Sequence, residues 1–305
     1  MKYKNANRKI KNLLTRQLKY CKIQVKIKIK ENKMNQFKFI DFHTHPFLYE
    51  DNNVCKHIES ANMSVSRTKE MYQKLGKTKI CGSVLSRSLK NNGDIKWEDV
   101  QRLNDIALEL EKIYDGFYIP GFHVHPKFIK ESIDEIERLN KMGKKLIGEL
   151  EPCRFSWGEL NYASKEFYEI LEALEHYNMV VSFHSKIGDE VVQDHIDQML
   201  VRFKNLTFVG GNFGPHWIIN RHIKRFSLSD NFFLDLPAVG LSKHGALRRI
   251  IDAGGKEKVL FGSNFPVSHP GMWAGAVEFD RELTEEEKEH VFYKNAERIL
   301  GVSLD

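Results

Sequence analysis

Phe39-Ile40-Asp41-Phe42-His43-Thr44-His45-Pro46 is an apolar run that turns polar at its end. Alternation along an extended strand puts His43 and His45 on one face. If this is the first strand of a parallel barrel, that end is the mouth where barrel enzymes keep their sites. Two imidazoles two residues apart can share one divalent ion such as Zn, Mn or Fe. Taken alone, the pair reads equally well as polar residues ending a strand.

Outward from this stretch the chain alternates. Short runs rich in Val, Ile, Phe and Leu, of the kind buried on both faces of a parallel sheet, predict strands at 37–42, 79–85, 116–124, 145–150, 179–184, 206–210, 232–236 and 258–262. Helical patterns fill the intervals at 67–75, 97–113, 127–142, 164–177, 189–203, 217–226 and 243–253, and a closing helix is expected near 284–300. Trp97-Glu98-Asp99 and Thr284-Glu285-Glu286-Glu287 place acids in a first helical turn, where the helix dipole favours them. Strands alternating with helices predict an α/β fold, and eight units fit a closed (β/α)8 TIM barrel in a single domain. No G-x-G-x-x-G follows the first strand, which argues against an open dinucleotide-binding sheet.

The chain has 305 residues, 41% of them hydrophobic and 11% aromatic, enough for a sizeable core. The formal charge of +6 is unevenly spread. Residues 1–33 hold 12 Lys or Arg against Glu31 alone, leaving 35 bases and 40 acids in the rest. The expected division is a basic N-terminal extension over 1–33, read as an upstream mis-start, and a barrel over 34–305 that begins at Met34. The mildly acidic body argues against a nucleic-acid groove. No stretch approaches the roughly 18 apolar residues of a membrane span, and no signal peptide is evident. A cytoplasmic protein with a small-molecule substrate and no nucleic-acid or membrane partner is expected; its assembly is left open, a homodimer included. The four cysteines lack C-x-x-C spacing and read as reduced thiols.

Two more strand ends carry chemistry. Val180-Val181-Ser182-Phe183-His184 closes an apolar run with a third imidazole. Leu146-Ile147-Gly148-Glu149-Leu150 buries a carboxylate, which must meet a cation or hold a proton. A second H-x-H, Gly121-Phe122-His123-Val124-His125-Pro126, reads as substrate contacts or polar rim residues. Asp235, ending the seventh strand, could orient a histidine. Arg154 and Lys186, in loops after strands four and five, could neutralise an acidic substrate. His57, His176, His195, His222, His244 and His290 lie on or beside expected helices and read as surface residues.

With His43-x-His45, His184 and Leu260-Phe261-Gly262-Ser263-Asn264-Phe265-Pro266 in place, the body from about Phe37 to Gly301 resembles the amidohydrolase-related family. Asn295-Ala296-Glu297-Arg298-Ile299-Leu300 is similar to its closing helix. That family includes metal-dependent hydrolases and decarboxylases resembling aminocarboxymuconate-semialdehyde decarboxylase. The resemblance implies a barrel, one metal ion and a metal-activated water. Two departures stand out: Asn264 replaces the usual Asp of strand eight, and Asn212 replaces the usual His of strand six. Both are proton-transfer positions in the family, and an amide takes up no proton near neutral pH.

The leading expectation is a metal-dependent hydrolase of an amide, ester, lactone or related bond. Its metal, zinc before manganese or iron, is held by His43, His45 and His184, with Glu149 or Asn264 completing the shell. A relocated base is sought first in Glu149, which occupies the place of a metal-bridging Glu in related metal-dependent deoxyribonucleases, and then in His216 and His269. The competing readings are a binding or sensor barrel that lost its acid–base groups and a non-oxidative decarboxylase. A metal-free pocket like that of the superfamily's lactonases is disfavoured by Asn264, since those keep the strand-eight Asp.

Overall fold

The computed structural model describes residues 37–55, 64–86, 95–184, 189–212, 214, 218–237 and 243–305. Eight parallel strands follow one another in sequence order: β1 (Phe37–Thr44), β2 (Gly76–Ser83), β3 (Tyr118–Phe122), β4 (Leu146–Leu150), β5 (Val180–His184), β6 (Thr207–Gly211), β7 (Phe232–Asp235) and β8 (Val259–Leu260). The chain just beyond β8 returns to β1: Phe42 N donates to Phe261 O at 2.8 Å, Asn264 N to His43 O at 2.8 Å and His45 N to Phe265 O at 2.6 Å. A parallel bridge from Thr44 to Phe265 completes this seam. The fold is a (β/α)8 barrel.

Helices α1 (Val65–Leu75), α2 (Trp97–Tyr114), α3 (Ile129–Lys141), α4 (Lys165–His176), α5 (Glu190–Arg202), α6 (Ile219–Leu228) and α7 (Ala246–Gly254) separate the strands. Their apolar faces pack on the sheet's outside in the main core, which includes Phe39, Tyr72, Leu110, Ile136, Phe167 and Ile250. A second apolar cluster joins Ile40, Phe42, Cys81, Val180, Val209 and Phe233 to Leu300 and Leu304 of the C-terminal segment, so this end of the barrel is plugged. Chemistry is thereby confined to the other end, where the strands terminate.

Helix starts follow local rules. Asp99 accepts from Lys96 N at 3.0 Å ahead of α2, and Thr284 and Glu287 form a reciprocal capping box ahead of the closing helix. That closing segment runs as Glu285–Glu289, one π-helical turn over His290–Lys294, and Asn295–Leu300. Its Asn295 amide, fully buried, donates to Lys256 O and Val259 O at 2.8 Å each, tying the helix to the root of β8.

Three departures from the sequence reading stand out. A helix over Pro270–Glu278 (α8) had no expectation, because Met272 and Phe279 are exposed opposite buried Trp273, Ala274 and Val277, and the usual polar face is missing. His222 is buried rather than on the surface. It lies beside fully buried Arg225, which pairs with Asp197 at 2.7 Å and with the Gln193 side chain at 2.9 Å. β8 is two residues long, not five, because the chain after it turns to pair with β1.

Candidate metal centre

Each strand end delivers one part of the site, and glycine keeps it open. A Cβ on Gly211, at the end of β6, would lie 2.5 Å from Glu149 Oε1 and 3.2 Å from His43 Cε1. Gly148, at φ +104°, is the residue before Glu149, and a Cβ there would sit 1.9 Å from Ser182 O. Neither position accepts a side chain without displacing the site.

The imidazoles of His43 and His45 are fixed by their Nδ1 atoms. His43 Nδ1 donates to Asp235 Oδ2 at 2.6 Å, and His45 Nδ1 donates to Ser83 O at 3.0 Å. Both partners are acceptors only, so neutral rings present bare Nε2 lone pairs. Those Nε2 atoms face each other across 3.2 Å. Glu149 Oε2 lies 3.4 Å from His43 Nε2 and 3.5 Å from His45 Nε2. The Glu149 backbone is held by Ser83, whose Oγ accepts from its N at 2.9 Å. Alternation alone does not carry both rings here: the β1–β2 register shifts between Asp41 and Thr44.

Three acceptors this close need something positive between them. Burial drags His43 down, yet the Glu149 and Asp235 carboxylates outweigh it and hold His43 well above the usual histidine range. Burial would raise Glu149, but the His43 and His184 charges hold it well below the usual carboxylate range. Burial pushes His45 below the ordinary value and Asp235 above it. A proton on His43 is one solution, and a divalent cation is the other. The donor set suits the cation: two fixed imidazoles, one ionised carboxylate and a dry setting. Among the described residues, the group of potential ligands whose donor atoms all lie within 4.8 Å of one another is His43, His45 and Glu149.

His184 stands just outside that group. Its Nδ1 is 3.9 Å from Glu149 Oε1, and its side chain is 23% exposed at the mouth. Asn212 donates to Glu149 Oε1 at 3.2 Å through Nδ2, and Asn264 Nδ2 donates to Asn212 Oδ1 at 3.2 Å. The two amides form a chain that ends on the carboxylate. Asn264 Oδ1 is left buried without a hydrogen-bond partner, which suits a cation nearby. Both asparagines sit in the left-handed region, at φ 57° and 59°. Asn, Asp and His are the non-glycine residues most enriched there. The backbone would thus also take the Asp or His of the related pattern.

The other sequence candidates are placed as follows. His216 and Lys186 lie outside the described residues, as does His57. His269 is exposed and caps α8, its Nδ1 accepting from Gly271 N at 3.0 Å. Arg154 pairs with Glu151. His123 and His125 are buried, and burial lowers each to about 4. Ser83 escaped the sequence reading, although it serves twice, through its carbonyl and its hydroxyl. Nothing in a serine ending an apolar strand signals that.

A family model described as Amidohydrolase matches residues 40–302. The chain belongs to the amidohydrolase family. Among solved structures similar to this amidohydrolase is 2,6-dihydroxybenzoate decarboxylase from Rhizobium, 12% identical with a TM-score of 0.68, over 87% of this chain and 98% of that one. Another is 5-carboxyvanillate decarboxylase from Sphingomonas paucimobilis, 15% identical with a TM-score of 0.65, over 87% and 99%. A third, dihydroxybenzoic acid decarboxylase from a Polaromonas species with bound manganese and 2-nitroresorcinol, is 14% identical with a TM-score of 0.62, over 87% and 97%. At such identities the likeness is one of fold. No curated protein sequence matches the chain. No helix among the described residues is long and apolar enough to cross a membrane.

Proposed function

We propose that this amidohydrolase is a divalent-metal-dependent hydrolase of a small molecule, with Glu149 as both ligand and proton acceptor. One observation carries the reading: His43 and His45 spend their Nδ1 hydrogens on Asp235 and Ser83, so two bare Nε2 atoms and Glu149 Oε2 converge. His184 and Asn264 Oδ1 are the remaining donors within the proposal, and zinc is the metal the imidazole-rich set favours. When bound, the ion would supply Lewis-acid polarisation and lower the pKa of a water toward about 7.

The chain's own groups do the rest. Glu149 Oε2 faces the His43 and His45 rings, which leaves Oε1, beside Asn212 and His184, as the oxygen that takes a proton. Glu149 then returns that proton to the leaving group, so the proton taken from water ends on the product. Asn212 orients Glu149 by donating an amide hydrogen to it, Asn264 holds Asn212 in the same way, and neither amide enters the transfer. Asp235 and Ser83 keep the imidazoles in one tautomer.

The test is Glu149→Gln in zinc- or manganese-loaded protein, assayed on a panel of amides, esters and lactones with metal content measured in parallel. Hydrolysis falling about 10²–10⁴-fold in protein that retains metal is the expected result. Full hydrolysis in that variant contradicts the assignment. A second reading, non-oxidative decarboxylation, is favoured by the decarboxylases among the similar structures and needs no hydrolytic water. Carbon dioxide released from 2,6-dihydroxybenzoate, with no hydrolysis of the panel, would replace the first reading with the second.

A further inference from the structure

His123 follows β3 at the same end of the barrel, and the proposed function gives it no task. Its surroundings are built with care. Asn104, fully buried on α2, accepts from His123 N at 2.7 Å and donates to His123 O at 3.1 Å. The ring donates from Nε2 to Val84 O at 2.8 Å and lies against Phe155, with centroids 4.3 Å apart. Val84 O is the carbonyl next in sequence to Ser83 O, which holds His45, so two consecutive carbonyls, at the end of β2 and just past it, aim two imidazoles. The charges of His45 and Glu149 are close enough to act on His123.

Donation from Nε2 leaves Nδ1 as a lone pair. That atom is buried and has no hydrogen-bond partner, in a residue that is 1% exposed. An orphaned acceptor inside a protein costs about 1–3 kcal/mol, and native structures seldom retain one without a use. We propose that His123 Nδ1 is a substrate subsite: it accepts a hydrogen bond from a neutral hydroxyl or N–H on the molecule bound at the metal centre. The proposal rests on the site being a substrate site, as above, and adds the chemistry of one substrate group. A carboxylate or carbonyl oxygen cannot occupy the position, because lone pair would face lone pair.

The experiment uses phenol and its methyl ether, anisole, as probes of equal shape with and without a donor. Full-length protein labelled with ¹⁵N-histidine is observed by NMR, with the His123 signals assigned by their loss in His123→Gln. Phenol is expected to move the His123 Nδ1 resonance upfield while anisole leaves it unchanged, and His123→Gln should weaken phenol about tenfold relative to anisole. A Nδ1 resonance that phenol does not move overturns the proposal, whether phenol fails to reach it or a resident water already occupies it. The phenol response is read on the unaltered protein, and if His123→Gln folds poorly the assignment is made from through-bond spectra of the unaltered protein. Metal content on the same samples separates the two claims. A phenol response in protein that binds no metal sinks the metal reading and keeps the subsite. Full metal loading with no response sinks the subsite alone.

Discussion

His43-Thr44-His45 and His123-Val124-His125 are the same pattern at the ends of two barrel strands, and they do opposite things. The first pair turns its Nε2 atoms toward each other at 3.2 Å, with Glu149 and Asp235 beside them. The second pair spends its Nε2 hydrogens on separate carbonyls, Val84 O at 2.8 Å and Phe155 O at 2.7 Å, and His125 Nδ1 also accepts from Lys127 N at 3.2 Å. Nearby carboxylates raise His43, whereas burial lowers both members of the second pair to about 4. Spacing therefore brings two imidazoles to a mouth, and what their other nitrogens bind decides whether they can share an ion.

The largest effect expected from breaking this contrast is on metal affinity. His43→Ala or Glu149→Ala should lower zinc affinity by more than the about 10–100-fold expected for Asp235→Asn, which leaves the ligands and removes only an orienting partner. His125→Gln should leave affinity unchanged. Competition against a chelator with a metal-sensitive dye measures all four. Equal losses in the first and second pairs would erase the distinction.

Acidity probes the pairs with opposite signs. In metal-free protein, the neutral His123 contributes stability that is fully present above the ordinary histidine value of about 6.5 and is lost as pH falls through about 4. The shift corresponds to about 3 kcal/mol, at about 1.4 kcal/mol per pKa unit. His43 runs the other way: its contribution is present below about 6.5 and disappears as pH rises through its elevated folded value. Urea unfolding of wild type, His43→Gln and His123→Gln across this range should show His123→Gln flattening the acid limb and His43→Gln flattening the alkaline one. The same His43 proton competes with metal, so zinc affinity should weaken as pH falls. Identical pH profiles for the two variants would count against the charge assignments.

The smallest effect belongs to a histidine in neither pair. His269→Ala removes the cap of α8, costing about 1 kcal/mol in unfolding free energy with no change in metal content. A loss of metal on that substitution would bring His269 back as a site residue.

The barrel was legible because each strand is a short apolar run and each helix has a polar face. Helix α8 was not, since exposed Met272 and Phe279 remove the contrast that marks an amphipathic helix. In the site, His43, His45, Glu149 and Asp235 could be read as polar residues ending apolar strands, a position costly to occupy without a reason. His184 carried the same signal, yet the structure sets it at the open side, 3.9 Å from Glu149 Oε1 and outside the group that His43, His45 and Glu149 form. The Asn264–Asn212–Glu149 amide chain and the double use of Ser83 depend on loops and registers that meet only in the folded chain. Burial of His222 is of the same kind, since Arg225 beside it on α6 is tied to Gln193 and Asp197 of α5, far away in sequence.

Anomalous diffraction from a crystal grown with zinc addresses the central claim most directly. One strong peak is predicted at about 2.0–2.2 Å from His43 Nε2, His45 Nε2 and a Glu149 carboxylate oxygen. Metal-replete crystals with no peak among these three side chains, or with the ion on His123 or His125 instead, would contradict it.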